Sequence, residues 1–247
     1  MLSINSILQK LDEHLSRNDY ASAEKHLIYW LEEAKTVNDN RCSLTILNEL
    51  AGLYRKLSRE ADALEIVNKL LSLIGQMDIG NNIGAATTYI NCATVFKAFK
   101  RADKAIPLFK KAKTIYEKEL TVTDKRLGGL YNNMALALVD LKQFDKAYEL
   151  YQKAIEVMSN VTDGDLEVAI TYLNIASAKE EEYGLEQSEQ IIKDYIEKAV
   201  IILDSHANRN GYYAFVCENC ASVFGYYGYF AYENELNKRA KMIYERD

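Results

Sequence analysis

One proline, Pro107, and 11 glycines in 247 residues leave this sequence almost without turn-formers. Average chains carry about 5% proline and 7% glycine, and sheet proteins spend both at their many turns. The shortage excludes a β-sandwich or barrel and predicts a chain that is mostly helix. Clustered basic residues are also missing. The net charge is −6, with both signs interspersed, which argues against a phosphate-backbone partner such as nucleic acid. No run approaches the ~20 apolar residues that span a bilayer, so no membrane segment is expected. The start, MLSINSILQKLDEHLSRNDY, has no basic stretch followed by an apolar run and does not read as a signal peptide. Four cysteines are too few and too unevenly placed for a disulfide framework. A cytoplasmic protein is the resulting expectation.

Chemistry-bearing motifs are scarce as well. His14, His26 and His206 fall at no metal-ligand spacing, and no glycine-rich phosphate loop follows a strand pattern. Gly128 and Gly129 lie inside a helical pattern. Cys217-x-x-Cys220 is the one arrangement that invites a metal or redox reading. Both cysteines sit on an apolar helical stripe, with no second pair or nearby histidine to complete a zinc site. They read as small buried hydrophobes. No catalytic residue, metal site or cofactor is assigned, and the chain is expected not to be an enzyme.

A repeat is what the sequence does contain. Alanine recurs at Ala51, Ala93, Ala135, Ala176 and Ala221, in steps of 42, 42, 41 and 45 residues. Twelve residues on come Ala63, Ala105 and Ala147; nineteen on come Leu70, Ala112, Ala154 and Ala240. Small side chains at this spacing let two antiparallel helices approach to about 8–10 Å. Around each marker the apolar residues step by three and four. Leu47, Tyr89, Tyr131, Tyr172 and Cys217 stand four before, and Leu50, Cys92, Met134, Ile175 and Cys220 one before. Tyr54, Phe96, Leu138 and Phe224 stand three after, completing the stripe of helices buried on one side.

This set resembles the tetratricopeptide repeat, most clearly over 124–158, where Tyr131, Met134, Ala135, Leu138, Phe144, Ala147, Tyr151 and Ala154 match in type and spacing. The long period is similar to that of kinesin light chains and bacterial peptide-pheromone receptors. The resemblance implies an all-α, right-handed solenoid of about six helical hairpins, about twelve helices, forming one continuous domain over 1–247. At the N-terminus Leu11, Tyr20, Ala23 and Trp30 hold the expected spacing, with leucine in place of the first small residue, which suits a capping repeat. In the fifth repeat Ala199 comes four residues late and Lys179 takes an apolar slot, which predicts a longer turn over 183–188 and a hairpin that is looser or more exposed to a partner. Phe224 and Phe230 are assigned to core slots of the last repeat. Pro107, early in its helix, suggests a mild bend.

A solenoid of helical pairs lines its concave side with the first helix of each pair. Offsets −6, −2, +1 and +5 from the marker point away from the partner helix. Offset −2 holds Asn91, Asn133, Asn174 and Asn219, with Glu49 in the second repeat; Asn48 and Asn132 stand at −3. Asparagine is a mediocre helix former, so four at one phase require a reason. Their amides can grip the backbone of an extended peptide, as the resemblance implies, or bond between neighbouring repeats. Arg55, Lys56 and Lys97 lie on or beside this face early in the chain, and Asp140, Glu180, Glu181 and Glu218 later. Such a gradient orients a peptide, or is a solvated face of incidental signs; the paired basic residues of a carboxylate clamp are absent. Six tyrosines and three phenylalanines crowd 212–232, with Phe215 and Tyr226 directed to the groove. They form an interface, including one between copies of the chain, or pack beneath the last helix.

The functional expectation is therefore a non-catalytic scaffold that holds a protein or extended peptide. The alternative is a ligand-responsive regulator resembling the pheromone receptors. Those usually carry an N-terminal effector unit; repeat-like sequence here begins almost at Met1, so a separate output protein is expected.

Overall fold

The computed structural model describes residues 3–246, and among them there are twelve helices and no strand. The chain forms two compact units, one ending at Glu119 and the other beginning at Leu120. In the first unit α1 (Ile4–Ser16) pairs with α2 (Tyr20–Thr36), α3 (Asn40–Lys56) with α4 (Glu60–Gln76), and α5 (Ile83–Ala98) with α6 (Ala102–Glu119). In the second, α7 (Lys125–Asp140) pairs with α8 (Phe144–Met158), α9 (Asp165–Tyr183) with α10 (Leu185–Ser205), and α11 (Gly211–Tyr226) with α12 (Phe230–Tyr244). No described helix is long and apolar enough to cross a membrane.

The small residues sit where the helices approach. Ala51, Ala63, Ala93, Ala105, Ala135, Ala147 and Ala176 are fully buried, and Ala221 nearly so. Within each unit an odd-numbered helix lies against the next odd-numbered one: α3 on α5, α7 on α9, and α9 on α11. Even-numbered helices pack against the odd-numbered helix that follows, as α2 does on α3, α4 on α5 and α8 on α9. α6 runs on through Pro107, whose ring is exposed. Gly128 is required by close packing, because a Cβ there would lie 2.7 Å from the Met158 side chain.

Five of the hairpin turns and the α2–α3 link share one backbone device. Asn18, Asn38, Ser58, Lys100, Lys142 and Gly228 adopt φ between +54° and +84° just past a helix end. The next residue then donates its N–H five residues back: Asp19 to His14, Asp39 to Ala34, Arg59 to Tyr54, Arg101 to Phe96, Gln143 to Leu138 and Tyr229 to Phe224, all at 2.8–2.9 Å. That bond satisfies a helix-terminal carbonyl and reverses the chain in three residues. Asp19, Asp39, Asn82, Asp124 and Asn210 then cap the helices that follow them through side-chain oxygens.

Two expectations are corrected. The turn expected over 183–188 is a single residue, Gly184, at φ +81°. The additional residues lengthen the helices instead, giving 19 residues in α9 and 21 in α10. Nor is this hairpin loose: Ser188 is buried and donates to the Gly184 carbonyl at 2.6 Å. Lys179 is accommodated by charge. Its Nζ stands 3.7 Å from the centre of the Tyr148 ring and 3.2 Å from Glu182, which also accepts from the Tyr148 hydroxyl at 2.7 Å. The second correction is Phe230, which is 63% exposed rather than in the core. It opens α12 on the outward side, and Tyr229 and Tyr232 pack on Phe224 instead.

Candidate functional site

The asparagines at offsets −2 and −3 divide into two groups. In the first unit Asn91 of α5 donates its amide to Asn48 Oδ1 of α3 at 2.8 Å. Asn48 in turn donates to the Thr88 hydroxyl at 3.1 Å and to the Leu44 carbonyl at 2.8 Å. The second unit repeats the arrangement: Asn174 of α9 donates to Asn132 Oδ1 of α7 at 3.2 Å, and the Thr171 hydroxyl donates to the same oxygen at 3.4 Å. These are rungs between stacked odd-numbered helices, built from an amide, an amide and a threonine one repeat apart. They commit one N–H of Asn91 and of Asn174. Asn133 and Asn219 differ, for each donates back to its own helix, to the Gly129 carbonyl at 2.8 Å and the Phe215 carbonyl at 2.9 Å. Asn219 is exposed.

The charged candidates flank these rows. Lys56 ends α3, exposed, with its ammonium 5.0 Å from the centre of the Tyr20 ring; Lys97 stands in the last turn of α5. Glu49, in the slot asparagine takes elsewhere, has its carboxyl raised above the usual range by burial and then by Asp12. In the second unit Glu180 accepts from Tyr226 at 2.6 Å and Tyr227 at 2.8 Å, while Glu181 pairs with Lys142. A hollow of about 330 Å³ lies beside this group, between α9 and α11, edged by Ser177, Glu181, Ser222 and Tyr226.

Along α11, Phe215, Asn219, Ser222 and Tyr226 follow one another at steps of four, three and four, on the solvent side. Phe215 is 52% exposed and Tyr226 70%. Phe215 is stacked on Tyr212, whose hydroxyl reaches Glu167. Other aromatics of this repeat are structural, Phe230 excepted. Tyr213 is fully buried, lies parallel to His206 at 5.6 Å, donates to the Leu203 carbonyl at 2.9 Å and accepts from Arg239. His206 bonds Asp165 across 2.8 Å.

Sequence reading did not find the threonine members of the rungs. Thr88 and Thr171 both stand five residues before their marker alanines, so the signal was present. It also missed Tyr227 beside Glu180. Cys217 and Cys220 are buried, and burial pushes the Cys220 thiol up to about 12. Among the described residues no three His, Cys, Asp or Glu side chains gather as metal ligands would.

Known structures share this architecture. BtubC (BKLC) from P. vanneervenii superposes with a TM-score of 0.69 at 18% identity, covering 83% of each chain. A kinesin light chain protein with nearly identical repeats from Podosopora anserina gives 0.56 at 15% identity, over 81% of this chain and 94% of that one. NprR in complex with its cognate peptide NprX gives 0.60 at 16% identity, over 97% of this chain and 67% of NprR. At such identities the likeness shows the fold, a solenoid of tetratricopeptide-like hairpins. No curated protein matches the sequence. The family model for the tetratricopeptide repeat matches residues 42–118 and 126–197, more than half of the chain. The chain therefore belongs to the tetratricopeptide repeat family.

Proposed function

We propose that this protein is a non-catalytic scaffold that holds a protein or extended peptide against its odd-numbered helices. The observation that carries this reading is the outward line of α11, where two exposed aromatic rings, Phe215 and Tyr226, flank the exposed amide of Asn219. Exposed aromatic area beside hydrogen-bonding groups is characteristic of partner surfaces. Asn133 and Asn174 offer backbone-reading amides on the equivalent helices of the same unit, and Asn91 does so in the other unit. Buried free thiols suit a reducing cytoplasm. The same line of rings also fits a second copy of the chain.

Affinity capture from native cells tests the proposal, comparing the wild type with a Phe215→Ala, Asn219→Ala, Tyr226→Ala variant. The expected result is a partner lost from the variant while its helical signal and melting temperature hold. Equal capture by both proteins overturns the assignment of this face. Light scattering of the two reports self-association directly.

The likeness to NprR, bound to a peptide in its own structure, favours a second reading, a peptide-responsive regulator acting through a separate output protein. A solution scattering profile that changes when the captured peptide is added supports the regulator; an unchanged profile supports the scaffold.

A further inference from the structure

Three repeats fill one position on the side of the even-numbered helices in the same way. Four residues before the marker stand Tyr89, Tyr131 and Tyr172, and a lysine from the following helix lies over each ring. Lys111 is 5.5 Å from the Tyr89 ring centre, Lys153 5.9 Å from Tyr131, and Lys198 5.6 Å from Tyr172. In each case that lysine immediately precedes the third small residue, Ala112, Ala154 or Ala199. The last repeat keeps the pairing by other means, with Arg239 bonded to the Tyr213 hydroxyl at 3.1 Å and set over the Tyr232 ring at 5.6 Å.

The second repeat keeps the cation and lacks the ring. Lys69 precedes Leu70, but the tyrosine slot holds Leu47. A cavity of about 530 Å³ opens there between α2 and α4, with Leu31, Leu47 and Leu73 in its lining and Lys69 at its edge. One repeat on, where Tyr89 is in place, the corresponding space is about 350 Å³. A second departure falls at the same spot. Eight residues before the marker the other repeats place Ala85, Leu127, Val168 and Tyr213, all apolar or ring-bearing; here it is Ser43. Ser43 is 5% exposed, lines the cavity, and its hydroxyl bonds no group among the described residues. A helical side chain covers the turn before its own Cα, so a ring seated as the three tyrosines are would rest over Ser43.

We infer that this cleft binds an aromatic side chain, tyrosine above phenylalanine, presented by a partner polypeptide. The ring occupies the place Tyr89, Tyr131 and Tyr172 fill in their own repeats, lies under the Lys69 ammonium, and offers its phenol to the Ser43 hydroxyl. Its size falls within the range of small-ligand pockets, and its leucine lining matches the apolar part of the ring. The inference does not depend on the assignment of the α11 face.

The test titrates N-acetyl-tyrosinamide, and N-acetyl-leucinamide as comparison, into the full chain labelled for amide NMR. Saturable shifts should centre on Ser43, Leu47 and Lys69, with the tyrosine compound bound at least about threefold more tightly. Leu47→Tyr, which supplies the missing ring from within, should keep or raise the melting temperature and weaken binding at least about tenfold. Lys69→Gln, an exposed change that leaves the core intact, should erase most of the preference for tyrosine, and it carries the test if Leu47→Tyr folds poorly. Absence of localised shifts, equal binding of the two amides, or a Lys69→Gln variant with undiminished tyrosine preference overturns the inference. The Phe215→Ala, Asn219→Ala, Tyr226→Ala variant should bind N-acetyl-tyrosinamide as the wild type does, which separates failure of one site from failure of the other.

Discussion

The amide of Asn91 donates to the side-chain oxygen of Asn48 at 2.8 Å, joining two odd-numbered helices one repeat apart. The rung is half-buried, so removing one partner strands the other. Asn91→Ala should lower stability by about 1–2 kcal/mol with no partner present. A double-mutant cycle with Asn48→Ala should return a coupling of about 0.5–1.5 kcal/mol. Asn219→Ala, whose amide touches only its own helix, should stay within about 0.5 kcal/mol of wild type. Chemical denaturation of the four proteins checks this, and independent Asn48 and Asn91 effects would remove the rung from the account.

Ser58 sits at φ +55° between α3 and α4, exposed, in a conformation that costs an L side chain about 1 kcal/mol and glycine little. Ser58→Gly should raise stability by about 0.5–1 kcal/mol. Ser72→Gly, an exposed position inside α4, should lower it by a similar amount. A thermal melt of each variant gives the two signs.

Asp124 accepts two bonds from the Arg126 guanidinium, at 2.6 and 2.9 Å, and caps α7 through the Arg126 N–H. The guanidinium bond is the main cause holding its carboxyl down at about 2, against an ordinary 3.8. The unfolded chain therefore takes up this proton first as pH falls. The contribution of Asp124 is complete above about pH 4 and lost on the way down to about 2. Melting curves of Asp124→Asn should lie below wild type at neutral pH, and the gap should close across that window. A constant gap would exclude the carboxylate as its source.

Cys42, Cys92, Cys217 and Cys220 are free, buried thiols, all raised by burial, with Cys92 and Cys220 pushed up to about 12. At pH 8 a thiol reagent should modify all four in guanidinium and react with the native protein at least about a hundredfold more slowly. A fast-reacting thiol in the native state would mark a local opening.

The helical register was legible because small residues are forced to recur where helix axes come closest, and Ala51, Ala93 and Ala135 mark those places at one period. The fate of extra residues was not. No turn of several residues forms over 183–188: α9 continues through Glu180, Glu181 and Glu182 to Tyr183, because one glycine at positive φ suffices to reverse the chain. Phe230 matches Phe144 in type and each begins its helix, yet Phe144 is half-buried and Phe230 exposed, a difference that spacing does not resolve. The asparagines left two readings open since an amide's partner stands one repeat away. The pairing of an offset −3 residue with the next repeat's offset −2 residue becomes visible only when the helices are stacked. Leu47 was visible as a departure from tyrosine. That it leaves a hollow under Lys69 follows only from seeing the cation over the ring elsewhere.

The one-residue joint at Gly184 has a practical side. Four further residues in a helix add about 6 Å of length, and α9 and α10 both gain at the end where they meet. Tyr183 and Leu185, on either side of the joint, are about half exposed, and no rung or alanine contact lies there. The tip is thus a natural insertion point for a fluorophore, an epitope or a small folded reporter.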